Sequence, residues 1–301
     1  MSSNQTVRIL IFGRVGQVGT ALSELLPGTV QTLFLDQPEI DLSVPGDVQK
    51  PIREFQPAVV INAAAYTAVD KAESEPEVAH AINATAPGLM AGTCEEIGAA
   101  LVHYSTDYVF DGSAGRPYTE NAGVAPRSAY GRTKLAGERA VMAATDRYVI
   151  LRTAWLYSHV GHNFLKTMLR LAETQSSVRV VADQTGSPTY AWDLAQATVS
   201  VVNALATGRD DAYGLYHATN AGVTTWHGFA SRIFQLAGHE NMQVEPITTD
   251  EYPTPAPRPA YSVLSCEHLA EVFSLRLPNW EDAAARCIEV LCSSTATGRG
   301  R

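Results

Sequence analysis

Over residues 1–155 the chain alternates short apolar runs with stretches of helical periodicity, which restricts it to an α/β fold built on a parallel sheet. Strands are predicted over 7–12, 29–35, 58–62, 101–105 and 148–152, with helices over 17–26, 48–55, 76–98 and 128–144. The strands are apolar at odd and even positions alike, so helices should cover both faces of the sheet. Pro87 lies inside the longest helical pattern and predicts a bend or break there, because it has no N–H to give.

Beyond residue 155 the pattern loosens. Helices are expected over 163–173, 191–206 and 225–236, and strands over 178–181 and 213–218. Pro253, Pro255, Pro257 and Pro259 exclude helix and central strand, leaving either a stiff surface loop or a loop that shapes a pocket. The small, polar stretch 293–301 reads as a disordered tail.

Composition narrows the classes of partner. The 301 residues are 46% hydrophobic, and 22 basic against 31 acidic side chains give a net charge of −9. An acidic surface argues against nonspecific binding to nucleic acid or anionic membrane, but a local basic pocket can still hold a small anion. No apolar run reaches the roughly 18–20 residues that span a bilayer. Residues 1–6 are polar and lead straight into a strand, so no signal peptide is read. Cys94, Cys266, Cys287 and Cys292 form no C-x-x-C pair, and are expected as buried free thiols in a cytoplasmic protein. His159-x-x-His162 lacks a carboxylate at metal-site spacing and reads as a solvated loop, so no metal is expected.

Gly13-Arg14-Val15-Gly16-Gln17-Val18-Gly19 falls between the first strand and the first helix. Glycines there permit a tight turn and bring backbone N–H groups to a pyrophosphate at the helix N-terminus. Asp36 ends the second strand and suits a ribose diol, favouring NADH; Arg14 suits a 2′-phosphate, favouring NADPH. Either cofactor fits this reading.

Tyr130 and Lys134 are spaced i, i+4, which on a helix puts phenol and ammonium on one face, about 6 Å apart along the axis. A nearby cation stabilises a phenolate, which makes the pair a usable proton donor and acceptor. Alone this spacing marks an ordinary exposed helix face. Here Thr106, just past the end of a strand, supplies a hydroxyl where a doubly wound sheet binds ligands.

Together these motifs resemble the extended short-chain dehydrogenase/reductases and, more narrowly, the dTDP-4-dehydrorhamnose reductase family. The resemblance runs from about residue 7 to about residue 291. It rests also on the stretches 62–73, 105–112, 152–155, 183–189 and 255–259. It implies a Rossmann-type doubly wound parallel sheet with a smaller C-terminal substrate-binding region. Residues 1–155 would mainly form the NAD(P)-binding domain and 156–292 mainly the substrate-binding region, with the chain interleaving the two.

The implied activity is NAD(P)H-dependent reduction of the C4 keto group of a dTDP-linked sugar, dTDP-4-dehydro-L-rhamnose, to dTDP-L-rhamnose. Tyr130 would donate the proton, Lys134 would bind the nicotinamide ribose and lower the Tyr130 pKa, and Thr106 would hold the keto oxygen. Asp107 and Trp155 would line the sugar site, and Arg258 would take the diphosphate. Asp41 and Leu42, with Ala63, Ala64, Ala65, Tyr66 and Thr67, would contact the adenosine, ribose and pyrophosphate. Some relatives bridge a homodimer with magnesium held by glutamates. The corresponding positions here are Ala21, Trp192 and Val290, so that metal is not carried over and a homodimer stays possible only on other grounds. The competing readings are a 4-ketoreductase for another dTDP-deoxysugar and a non-catalytic NADP-binding regulatory subunit like that of methionine adenosyltransferase. Tyr108, following Asp107 where a dehydratase needs an acid, disfavours dehydration.

Overall fold

The computed structural model describes residues 7–298, and side chains through residue 293. Six parallel strands form the central sheet, in the order Gly214–His217, Tyr148–Thr153, Ala100–Thr106, Val59–Asn62, Arg8–Phe12, Gln31–Leu35. The chain begins at Arg8–Phe12, builds one edge, then crosses to the other side through Val59–Asn62. That reversal opens a crevice at the carboxyl ends of these two strands, the usual ligand position in such sheets.

The two-sided apolar pattern has a direct structural counterpart. Ile9, Ile11, Val59, Ile61, Val102 and Leu151 pack on one face with Leu22 and Leu194, from helices Gln17–Leu25 and Ala191–Ala206. Leu10, Phe12, Val60, Leu101 and Ile150 pack on the other, against Ile52, Met90 and Val141. Those three come from helices Pro45–Phe55, Ala86–Ile97 and Ala129–Ala144. Each such side chain contributes roughly 1.5–3 kcal/mol by leaving water.

The helix predicted over 76–98 forms in three consecutive pieces. Pro76–His80 is α-helical, Ala81–Thr85 is a π turn, and Ala86–Ile97 is α-helical again. The irregularity sits just before Pro87, which cannot supply the next N–H of the ladder. It carries the buried Asn83, whose amide donates to the Tyr66 carbonyl (3.1 Å) and to Thr133 Oγ1 (3.2 Å) while its oxygen accepts from Tyr66 N (2.9 Å). The turn thereby joins the loop after Val59–Asn62 to helix Ala129–Ala144.

A second core gathers Tyr157, Leu165, Phe229, Ile233, Trp280 and Cys287 between helices Phe164–Ala172, Trp226–Leu236 and Trp280–Gly298. Beside it, Ser177–Val181 pairs in parallel with Gln243–Ile247. The second of these strands has no counterpart among the sequence predictions, because Glu245 and Pro246 break its apolar pattern; a two-stranded sheet has only edges, where proline is tolerated.

Three expectations need correction. Helix Trp280–Gly298 continues through 293–298, where a disordered tail was predicted, since Ser, Thr and Ala bring no breaker before Gly298; residues 299–301 lie outside the described residues. Of the cysteines, Cys94 and Cys287 are buried, but Cys266 is half-buried and Cys292 exposed, because Cys292 lies off the buried stripe of its helix. His159 is packed rather than solvated: Nδ1 lies 3.0 Å from the Tyr190 hydroxyl and its ring 4.0 Å from that of Trp192. No helix among the described residues is long and apolar enough to cross a membrane.

Candidate active site

The glycine loop sits at the crevice. Gly13 has φ +97°, and a Cβ there would stand 2.7 Å from the Ala63 carbonyl carbon, so only glycine fits. Gly19 leaves no room for a side chain against Gly13, which brings helix Gln17–Leu25 close to the strand. Gly16 differs: a Cβ would meet nothing nearer than Gly13 O at 3.5 Å, and the residue sits at the helix N-cap. That helix start has neither a side-chain cap nor an acid in its first turn. Open N–H groups and the dipole at such a helix start suit an anion.

The other residues of this group divide by what occupies them. Val18 is buried in the core, leaving only its backbone for a ligand. Gln17 Oε1 accepts from Ser158 Oγ (2.7 Å) and Asn163 Nδ2 (3.1 Å), tying the loop to the second core. Asp36 accepts from Val15 N and Gln37 N, each at 2.8 Å, and Arg14 pairs with Glu39 at 2.9 Å. Asp41 is exposed; bonds from the Ser43 hydroxyl and N–H hold its carboxyl below the usual range. Leu42 packs against the core beside it. Ala63, Ala64, Ala65 and Tyr66 are half-buried at the crevice and Thr67 is exposed. The Ala63 N–H is spent on Phe12 O (2.9 Å), and the Tyr66 hydroxyl donates to Glu75 (2.7 Å).

Tyr130, Lys134 and Thr106 come together at the carboxyl edge of the sheet. Ser128 caps helix Ala129–Ala144, its Oγ accepting from Gly131 N at 3.1 Å, so Tyr130 lies in the first turn and Lys134 one turn on. Lys134 is buried and donates to Tyr104 O at 2.7 Å. An ammonium has three donors, so this cation retains capacity for ribose hydroxyls. Burial pushes Lys134 down to about 8, and the charge of Glu138 partly offsets that. Burial pushes Tyr130 up to about 12, against the pull of a hydrogen bond with Thr106.

Thr106 Oγ1 donates to Asp107 Oδ1 (3.0 Å) and accepts from Tyr108 N (3.2 Å). Burial raises Asp107 to about 6, with the Ser262 and Thr106 hydroxyls pulling the other way. Its Oδ2 and Ser262 Oγ are both buried and make no well-formed hydrogen bond.

A cleft of about 550 Å³ opens beside this group, lined among others by Asp70, Tyr108, Phe164, Gln184, Trp226 and Arg258. The Tyr108 and Tyr130 rings meet edge-on at 5.6 Å. Trp155 takes a left-handed backbone (φ +48°) and stacks on Trp226 at 3.7 Å and 8°. Trp226 Nε1 in turn donates to Gln184 Oε1 at 3.1 Å. Arg258 donates to Asp70 Oδ2 (2.8 Å) and Ala256 O (3.1 Å), so the proline-rich loop is a wall of the cleft.

Trp226, Asp70, Ser262 and Gln184 enter this neighbourhood without having been singled out from sequence. Gln184 lies within the 183–189 motif and Asp70 within 62–73, so both had a signal. Trp226 and Ser262 had none, since only the tertiary fold brings them to Trp155 and Asp107.

The family model of the RmlD substrate binding domain matches residues 7–293. The dTDP-4-dehydrorhamnose reductase of Sinorhizobium fredii is 41% identical over 290 residues, covering 95% of this chain and 98% of the relative. Among solved structures, the dTDP-4-dehydrorhamnose reductase of Clostridium acetobutylicum superposes with a TM-score of 0.89 at 41% identity, covering 95% of this chain and 100% of that one. The Bacillus anthracis enzyme of the same name, solved in complex with NADP, gives 0.88 at 38% identity, with the same coverage. Joined to a glycine loop at the sheet crevice and a Thr–Tyr–Lys group at its carboxyl edge, this full-length likeness shows that the chain belongs to the dTDP-4-dehydrorhamnose reductase family.

Proposed function

We infer that this protein is an NAD(P)H-dependent oxidoreductase that reduces the C4 keto group of dTDP-4-dehydro-L-rhamnose to give dTDP-L-rhamnose. The observation that carries this reading is the meeting of Tyr130 with Thr106 over the buried Lys134, at the edge of an aromatic-walled cleft.

When bound, the reduced nicotinamide supplies the hydride that goes to C4. Tyr130 supplies the proton to the C4 oxygen, so ketone plus hydride plus proton gives the alcohol. Thr106, whose hydroxyl now donates to Asp107, turns that donor to the keto oxygen and polarises it. Lys134 holds the ribose hydroxyls and, as a cation one turn away, stabilises the phenolate left on Tyr130. Asp107, raised to about 6 by burial and accepting from the Thr106 hydroxyl, lines the sugar side.

Residues 1–155 mainly hold the cofactor and 156–292 mainly the sugar nucleotide. The uncapped start of helix Gln17–Leu25 takes the pyrophosphate, flanked by Gly13, Gly16 and Gly19. Asp36, Asp41, Leu42 and the backbone of 63–67 surround the adenosine and its ribose. Trp155, backed by Trp226, forms an apolar wall for the sugar. Arg258 uses two of its five donors on Asp70 and Ala256, and the rest suit the substrate diphosphate. A cytoplasmic setting suits the buried thiols of Cys94 and Cys287.

The test is a panel of dTDP-4-keto sugars with NADH and NADPH, followed by cofactor absorbance and by NMR of the product at C4. Turnover of dTDP-4-dehydro-L-rhamnose with the L-rhamno configuration at C4 is expected. Cofactor binding with no turnover of any ketosugar would favour a regulatory subunit, and selective turnover of a different sugar would reassign the substrate.

A further inference from the structure

Three side chains beside the glycine loop bear on which dinucleotide it accepts. Arg14 Nη2 lies 2.9 Å from Glu39 Oε1, and both side chains are partly exposed. Asp36 cannot swing away from the loop, because Val15 N–H and Gln37 N–H hold one carboxylate oxygen each at 2.8 Å. The Ile40 N–H bonds to Asp36 O at 3.2 Å, closing the turn that carries Glu39 back to Arg14. At the end of the second strand, one carboxylate therefore holds the loop's cation and a second is held by the loop's backbone.

We propose that Glu39, together with Asp36, is a specificity-determining residue that makes this protein select NADH over NADPH. A ribose 2′-hydroxyl can donate to the fixed Asp36 carboxylate. A 2′-phosphate brings up to two further negative charges and three acceptors, and meets carboxylates with no proton to share. Arg14 is the loop's own cation, and Glu39 already holds it. A partly exposed ion pair of this kind contributes little to folding, yet it sets the charge that an arriving phosphate meets. Removing the Glu39 charge releases the guanidinium for charge-assisted bonds to the phosphate. The proposal rests on the glycine loop being the cofactor site.

Equilibrium binding tests it without turnover, by quenching of tryptophan fluorescence with NADH or NADPH and by displacement with 5′-AMP or 2′,5′-ADP. The wild-type protein is expected to bind NADH about tenfold more tightly than NADPH, and 5′-AMP more tightly than 2′,5′-ADP. Glu39→Gln should improve NADPH and 2′,5′-ADP binding about tenfold and leave NADH within about twofold. Adding Arg14→Ala to that variant should remove the gain. Equal or tighter NADPH binding by the wild type, or an unchanged ratio in Glu39→Gln, overturns the proposal. If neither dinucleotide nor 5′-AMP binds the wild type, the glycine-loop reading itself fails and the proposal falls with it.

Discussion

Lys134, only 2% exposed, donates to the carbonyl oxygen of Tyr104 at 2.7 Å and so ties the helix that carries Tyr130 to the strand that ends in Thr106. The bond fixes the ammonium in the crevice, one helical turn along from Tyr130. On the proposed function the protonation of Lys134 sets the pH behaviour.

Burial lowers Lys134 to about 8, whereas Tyr130 is raised to about 12 and keeps its proton through the neutral range. kcat/KM for ketone reduction should therefore fall as pH rises through about 8, as the ammonium is lost. Stability should move the other way. The lysine's ordinary value is 10.5, so between about 8 and 10.5 the unfolded chain binds more protons than the folded one and stability rises with pH. Urea unfolding of the wild-type protein and Lys134→Met across that window isolates the term: the rise should be smaller in the variant. Activity undiminished well above the Lys134 pKa would remove the lysine from its assigned role.

Tyr130→Phe keeps the ring that meets Tyr108 edge-on at 5.6 Å and removes only the hydroxyl. Turnover should fall by about 10²–10⁴-fold, the usual worth of a positioned proton donor, with cofactor affinity retained. Stopped-flow cofactor oxidation and a binding titration separate the two effects. Wild-type turnover in this variant would assign the proton to another group.

How much of this was legible beforehand follows from how local each signal is. The strands of the main sheet are apolar on both parities because both faces are covered, so continuous runs such as 59–61 disclosed their burial. The glycine loop and the Tyr130–Lys134 spacing are also local patterns. The engagement of Arg14 with Glu39 was hidden, because it depends on a turn that folds back over the loop. Trp226 stayed invisible for a like reason: 71 positions separate it from the Trp155 ring it stacks on, and an indole on a helix reads as ordinary core. Pro246 masked a real strand, since periodicity cannot tell an edge strand from a loop.

Gly186 offers a test of Trp155 that leaves the indole itself in place. A Cβ at Gly186 would stand 2.5 Å from Trp155 Cε2 and 2.7 Å from Cζ2, too close for either atom to remain. Trp155 already holds a left-handed backbone, a conformation that costs of order 1–3 kcal/mol and persists where packing enforces it. Gly186→Ala should therefore displace the ring from Trp226 and raise KM for the sugar nucleotide by about tenfold, since small misplacements at a reacting centre are costly. Cofactor affinity should be unchanged. Steady-state kinetics with both substrates varied checks this, and an unaltered sugar KM would return Trp155 to a packing role.

Glu138 and Arg152 form a buried, two-pronged ion pair, Nε to Oε1 at 2.8 Å and Nη2 to Oε2 at 2.6 Å, with side chains 1% and 3% exposed. The guanidinium carbon also lies 5.1 Å from the centre of the Phe110 ring. The pair thus joins helix Ala129–Ala144 to strand Tyr148–Thr153 directly behind Lys134. Removing one partner strands a charge away from water, and Arg152→Met alone should cost about 3–5 kcal/mol. Replacing both with apolar residues removes the charges together, so Glu138→Leu with Arg152→Met should lie within about 1–2 kcal/mol of the wild type. The two single variants and the double, followed by urea denaturation, form a double-mutant cycle. A double variant as unstable as the sum of the singles would mean that the pair is not coupled. Near-wild-type stability with a basic limb moved to lower pH would show instead that the pair's folding role is replaceable, while the Glu138 charge sustains the protonation of Lys134.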